Sequence, residues 1–131
     1  MNRKIIVDTS VWIEYFKNNA DIASFMEKNL LEDNIAIVGI IVSELIQGIK
    51  HIRDREIIRS NINALEYIDI KYEDWVATGE LSGTLRKNGV TLPLTDIVIA
   101  AAAIKHDLQL ATLDRHFKLI PDLKLVQPLL P

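Results

Sequence analysis

Apolar positions fall into short runs separated by polar punctuation, and the spacing inside each run tells strand from helix. Ile5-Ile6-Val7 follows a basic start and ends at Asp8, which predicts a short buried strand over Lys4–Val7. Trp12, Tyr15 and Phe16 then recur at helical spacing, with Thr9 or Ser10 as cap, until Asn18-Asn19 breaks the pattern. Ile22, Phe25, Met26 and Leu30 mark a second helix over Asp21–Leu31, ended by Glu32-Asp33-Asn34. Ile35–Val38 reads as a strand and Ile41–Lys50 as a helix with Gly48 near its end. Arg55–Tyr67 is amphipathic, with Ile58, Ile62 and Leu65 inward, and Ile68–Ile70 is a brief strand. A long helix over Glu73–Lys87 turns Ala77, Leu81 and Leu85 inward and stops at Asn88-Gly89. Pro93 bars helix before it and Thr95 is the expected cap of the next. Ile97–Ile104 follows, apolar all round with four alanines at its centre, as suits a helix buried against close neighbours. His106-Asp107 ends it, and Leu108–Thr112 reads as a strand. A short helix over Arg115–Leu119 and a strand over Lys124–Val126 complete the pattern, with Pro128 and Pro131 closing the fold. Strands alternating with helices predict an α/β protein with a mostly parallel sheet of four to five short strands and about seven helices.

Length and composition narrow this further. A chain of 131 residues, 49% of them hydrophobic, suits one domain with a proper core. The absence of cysteine excludes a disulfide scaffold and thiolate metal sites. The apolar stretch after the basic start is too short for a signal peptide. Ile35–Val42 and Ile97–Ile104, the longest apolar runs, are too short to span a bilayer, so a soluble cytoplasmic protein is expected. The net charge of −3 argues against a nucleic-acid partner, but two bound divalent cations would turn it into +1. Basic residues cluster at Lys50, His51, Arg53, Arg55 and Arg59, at Arg86 and Lys87, and at Lys105, His106, Arg115, His116 and Lys118; each cluster alone reads as a solvated face.

Four carboxylates occupy positions that a core does not require. Asp8 ends the first strand and Asp114 follows a later one, at the edge where parallel sheets form ligand crevices. Asp96 lies in the first turn of the alanine-rich helix, where the macrodipole favours an anion. Glu44 is the one acid in the apolar helix Ile41–Ile49. Singly, these are two caps, an exposed helix residue and a turn former. Together they can meet at one sheet edge, where they would repel unless protons are shared or cations bound. An all-oxygen, thiol-free set suits magnesium or manganese.

The strings VDTSVWIEYF, SELIQGI, LPLTDIVIAAAAI and LATLDRHF resemble the motifs of PIN-domain ribonucleases, and more narrowly of VapC-type toxins of toxin–antitoxin pairs. The resemblance spans almost the whole chain, with the motifs in order at compatible spacing. It implies a single PIN domain over residues 1–131, a PIN-like three-layer sandwich, and a metal-dependent endoribonuclease acting on structured RNA such as a transfer-RNA or ribosomal-RNA loop. It maps the catalytic, metal-holding acids onto Asp8, Glu44, Asp96 and Asp114, and supporting hydroxyls onto Thr9, Ser10 and Thr112. It also implies a Mg2+ or Mn2+ cofactor, a cognate antitoxin and a homodimer. A PIN-type nuclease or nucleic-acid-binding module outside a toxin–antitoxin pair is the alternative.

The chemistry expected of such a site is in-line phosphodiester hydrolysis between two divalent ions, roughly 3.5–4 Å apart. Asp8 and Asp96 are the expected direct ligands, with Glu44 and Asp114 binding through water or holding a second ion. His106 and His116 are read as surface groups that help neutralise phosphate. An antitoxin is expected to offer an apolar helix and an arginine to the acids, the edge of the Trp12–Tyr15–Phe16 helix bordering its groove, with Phe16 itself read as core. Two other acid-site folds fail on residues: a phosphoacceptor receiver needs paired acids after the first strand, and a haloacid-dehalogenase-type phosphatase needs Asp-x-Asp where Ser10 stands.

Overall fold

Strands separated by helices pair in parallel, because each helix carries the chain back before the next strand begins. The computed structural model describes residues 4–126 and follows this rule at every step. β1 (Ile5–Val7) leads through α1 (Thr9–Phe16) and α2 (Ala20–Leu31) to β2 (Ile35–Val38). α3 (Gly39–Gln47) and α4 (Ile52–Asn63) connect to β3 (Glu66–Ile68), and α5 (Tyr72–Lys87) and α6 (Leu94–Lys105) connect to β4 (Gln109–Ala111). A 3-10 helix, Arg115–Leu119, precedes β5 (Lys124–Leu125). The five strands form one sheet in the order β3-β2-β1-β4-β5, and every pair is parallel. The expected parallel α/β sandwich is therefore the observed one.

The chain enters at the middle of the sheet and works outward in one direction, through β2 to β3. It then returns by α5 and α6 to lay β4 on the other side of β1. Ile5 lies opposite both Ile35 and Gln109, and Val7 opposite Ala111. Strand order thus reverses between β1 and β4, and a crevice opens at the carboxyl ends of strands at such a point. Asp8 leaves β1 there, its N–H bonded to Ala111 O at 2.8 Å, and Thr112 to Asp114 leave β4 beside it.

Burial explains the patterning. β1 and β2 are buried along their whole length, as strands covered on both faces must be. In α6 every residue from Ile97 to Ala103 is buried, and α5 is the helix packed most extensively against it. Of the Ala77–Leu81–Leu85 stripe expected from apolar spacing, Leu85 is buried and Leu81 packs half-buried against the core, but the most buried face of α5 is offset from it. Asp74, Thr78, Ser82 and Leu85 are the buried residues. Thr78 hides its hydroxyl by donating to Asp74 O at 2.7 Å, so a small polar residue packs against alanines at little cost.

Other boundaries also move. α4 begins at Ile52 and ends at Asn63, and β3 takes Glu66–Ile68 instead of Ile68–Ile70. The helical spacing of Ile58, Ile62 and Leu65 is overridden because Glu66, Tyr67 and Ile68 pair with Ala36, Ile37 and Val38, satisfying a buried strand's backbone. Asp8, not Thr9 or Ser10, occupies the N-cap position of α1, and Thr9 and Ser10 are already helical. Pro93, not Thr95, occupies the N-cap position of α6: its carbonyl accepts from Asp96 and Ile97 while its ring holds φ at −58°. Asn18 does end α1, in a left-handed conformation at φ 62°. Pro128 and Pro131 lie outside the described residues. Among the described residues no helix is long and apolar enough to cross a membrane.

Candidate active site

The switch between β1 and β4 brings two strand ends together, and hydroxyls tie them. Thr112, at 1% exposure, donates from Oγ1 to Asp8 Oδ2 at 2.8 Å and accepts from Asp114 N at 3.0 Å. One buried hydroxyl thus links the acid after β1 to the backbone of the acid after β4. Ser10 Oγ also donates to Asp8 Oδ2, at 2.8 Å, and accepts from Leu113 N at 3.1 Å. Both hydroxyls fall on the same oxygen of Asp8, a residue only 7% exposed.

The other two acids arrive on helices. Glu44 lies on α3, and Thr9 Oγ1, in the first turn of α1, donates to its Oε1 at 2.9 Å. Asp96 stands in the first turn of α6, half-buried, and its carboxylate takes no hydrogen bond among the described residues. Burial pushes the Asp96 carboxyl above its ordinary range, and the charges of Asp114, Asp8 and Glu44 push it further, opposed by His116. The field at Asp96 therefore registers all three of the other acids. Asp114 Oδ1 accepts from His116 N at 2.9 Å and is bonded to His116 Nδ1 at 2.8 Å.

Two residues carry more than the sequence reading gave them. His116 is exposed, as expected, yet it is bonded to Asp114; the signal was the Asp-x-His spacing at the start of a short helix, where a side-chain oxygen meets the N–H two residues on. Phe16, read as core, packs half-buried against it and stacks on Trp12, and it also lines a groove of about 650 Å3 with Ile13, Leu45, Ile57 and Ile58, with Glu44 part of the same wall. Trp12 is the fully buried aromatic of α1, at 1% exposure. His106 does not join this cluster and lies by Asp74, with Nε2 3.7 Å from Asp74 Oδ1.

A sequence model of the PIN domain matches residues 5–123, and the chain belongs to that family. Its similarity runs to VapC proteins. It is 27% identical over 121 residues to VapC ribonuclease Mb1587 of Mycobacterium bovis, which covers 88% of this chain and 90% of that protein. Among solved structures, DNA-bound VapBC from Salmonella typhimurium superposes with a TM-score of 0.83 at 26% identity, over 95% of this chain and 97% of that one. VapBC2 of Rickettsia felis, bound to a DNA fragment from its promoter, gives 0.77 at 26% identity over 93% and 96%.

Divalent cations suit the donor set, which is four carboxylates and no thiol. Among the described residues no group of three or more His, Asp or Glu side chains is gathered closely enough to hold a metal ion. Magnesium typically keeps several waters and takes one or two carboxylates directly. The half-buried Asp96 carboxylate, without a donor and facing the field of three acids, is where a cation would relieve most repulsion.

Proposed function

We propose that this protein is a metal-dependent endoribonuclease and the toxin of a toxin–antitoxin pair. The observation that carries the proposal is the convergence of Asp8, Glu44, Asp96 and Asp114 on one sheet edge, registered in the field at Asp96. The family and the VapC likeness support it.

Asp8 and Asp96 would hold magnesium or manganese directly, and Glu44 and Asp114 would bind through water or hold a second ion. Ions bound there would supply an activated water and neutralise charge on the phosphate and the leaving oxygen. The chain's own residues set the geometry. Ser10 and Thr112 fix the rotation of Asp8 by donating to one of its oxygens. Thr9 holds Glu44 against the start of α1, so α3 cannot turn the acid out to solvent without losing that bond. Thr112 sets the backbone from which Asp114 projects.

A chain of net charge −3 cannot rely on a broad basic surface for affinity, so the substrate is a structured RNA chosen by shape, with an unstacked loop of transfer RNA or ribosomal RNA presenting its backbone to the acids. The cognate antitoxin lays an apolar helix in the groove of Ile13, Phe16, Leu45, Ile57 and Ile58, and a cation from it reaches Glu44 and the acids behind. We infer a homodimer in the cytoplasm, and Tyr72, Trp75 and Val76 leave an exposed apolar face on α5 that such a pairing would cover.

The test is cleavage-site mapping across total RNA with magnesium present, alone and after addition of the antitoxin. A few cuts in structured RNA, suppressed by the antitoxin, are expected. Even degradation of unstructured RNA at limiting enzyme contradicts the selectivity, and cutting that antitoxin leaves untouched contradicts the toxin assignment.

A further inference from the structure

One oxygen of Asp114 takes two donors from one residue. His116 donates its backbone N–H to Oδ1 at 2.9 Å, and its ring Nδ1 lies 2.8 Å from the same atom. The backbone bond belongs to the turn that starts the 3-10 helix, where Asp114 is the N-cap. Any residue but proline at 116 would make it. The ring bond is additional, and local stability does not account for it, since the two side chains are 69% and 35% exposed and exposed pairs of this kind contribute little.

An ionised carboxylate only accepts, so the ring nitrogen facing Oδ1 is the N–H of the imidazole. With two donors on Oδ1, that oxygen is a poor further ligand and the carboxylate cannot rotate freely. Oδ2 is left with its acceptor capacity. Carboxylates that bind metals are commonly oriented in this manner by a neighbour's hydrogen bond.

We propose that His116 is a positioning residue for cation binding: its Nδ1–H, added to the backbone N–H, locks Asp114 through Oδ1 and presents Oδ2 to a divalent cation in the acid cluster. The proposal rests on the reading of Asp114 as part of a metal site, and the test separates the two. Manganese affinity is measured by the loss of the free-ion paramagnetic resonance signal, on folded protein without RNA. His116→Ala should weaken manganese binding about 10–100-fold, the range typical for loss of an outer orienting partner. His116→Asn should restore it close to the parent, because its amide nitrogen stands as many bonds from the backbone as Nδ1. His116→Gln, whose nitrogen is one bond further out, should not. Melting without metal should be nearly unchanged in all three, so a folding defect is distinguishable. If His116→Ala binds manganese as the parent does while Asp96→Asn does not, the positioning role is wrong and the acid site stands. Equal affinities for His116→Asn and His116→Gln also overturn it. If Asp96→Asn also binds like the parent, the metal site itself fails and this inference goes with it.

Discussion

At the scale of single residues, Asp96 holds its proton more tightly in the folded protein than in the unfolded chain, through burial and then the charges of Asp114, Asp8 and Glu44. An acid raised in this way contributes stability below its ordinary value and loses it as pH rises through the folded value. Metal-free protein should therefore lose stability across that interval and regain it with magnesium, which binds only the folded form. Asp96→Asn removes the charge and keeps the shape. It should melt higher than the parent at neutral pH without metal, gain less from magnesium, and show a flatter pH dependence. The opposing loss of a favourable dipole contact is about 0.3–1 kcal/mol. A lower melting temperature would identify Asp96 as mainly a helix-start residue. Thr112 gives a second test. Thr112→Val strands the N–H of Asp114 and removes a donor from Asp8, which should cost about 1–3 kcal/mol in denaturant unfolding. Cleavage should fall about 10–100-fold, and Thr112→Ser should keep both properties. If Val and Ser unfold alike, the hydroxyl supports neither acid. The four acids were legible because each interrupts an apolar context. The hydroxyls Thr9, Ser10 and Thr112 were named only through the family resemblance, and which acid each holds was not legible, since Thr112 and Asp8 are 104 positions apart and Thr9 and Glu44 are 35, and periodicity carries no information at that range.

Among the elements, α5 and α6 set where Asp96 stands. Asp74 on α5 binds its own helix start by accepting Lys71 N at 2.8 Å, and its other oxygen pairs with Lys105 Nζ at 3.1 Å on the last turn of α6. Burial at 2% exposure works against its ionised form, but the Lys71 N–H, Lys105 and His106 outweigh that and lower its pKa. The sign is opposite to that of Asp96: this stability is present above the ordinary carboxylate value and is lost as pH falls through the folded one. Asp74→Asn keeps an acceptor for Lys71 and loses the pair. It should unfold more easily than the parent at neutral pH, with the difference shrinking in acid. A deficit of constant size from neutral to acidic pH would show the ion pair to be idle. These helices also mark the limit of pattern reading. Eight apolar residues in a row, Ile97–Ile104, made α6 plain, whereas α5 buries Thr78 and Ser82, which look solvent-facing by type. β3 was misplaced because Leu65 to Ile68 fits either period, and pairing to β2 decided it.

For the molecule as a whole, topology makes the site. Alternating strands and helices in the sequence imply a parallel sheet, but not that β4 lies beside β1 while β3 lies two strands away. That order places Asp8 and Asp114 on adjacent strand ends. The helices bring Glu44, midway along α3, and Asp96, in the first turn of α6, to the same edge, closely enough for Asp96 to respond to Asp8, Asp114 and Glu44 together. The groove beside Glu44, formed by α1, α3 and α4, then gives the molecule a second surface continuous with the first. The central claim is that these carboxylates work by holding divalent cations. It is tested most directly by following cleavage of a structured RNA by the purified protein with magnesium or manganese, with a chelator, and with Asp96→Asn. Cleavage with either metal, lost in the chelator, restored by excess metal and absent from folded Asp96→Asn, is the result expected. Undiminished cleavage in the chelator, or full activity of Asp96→Asn, would contradict it.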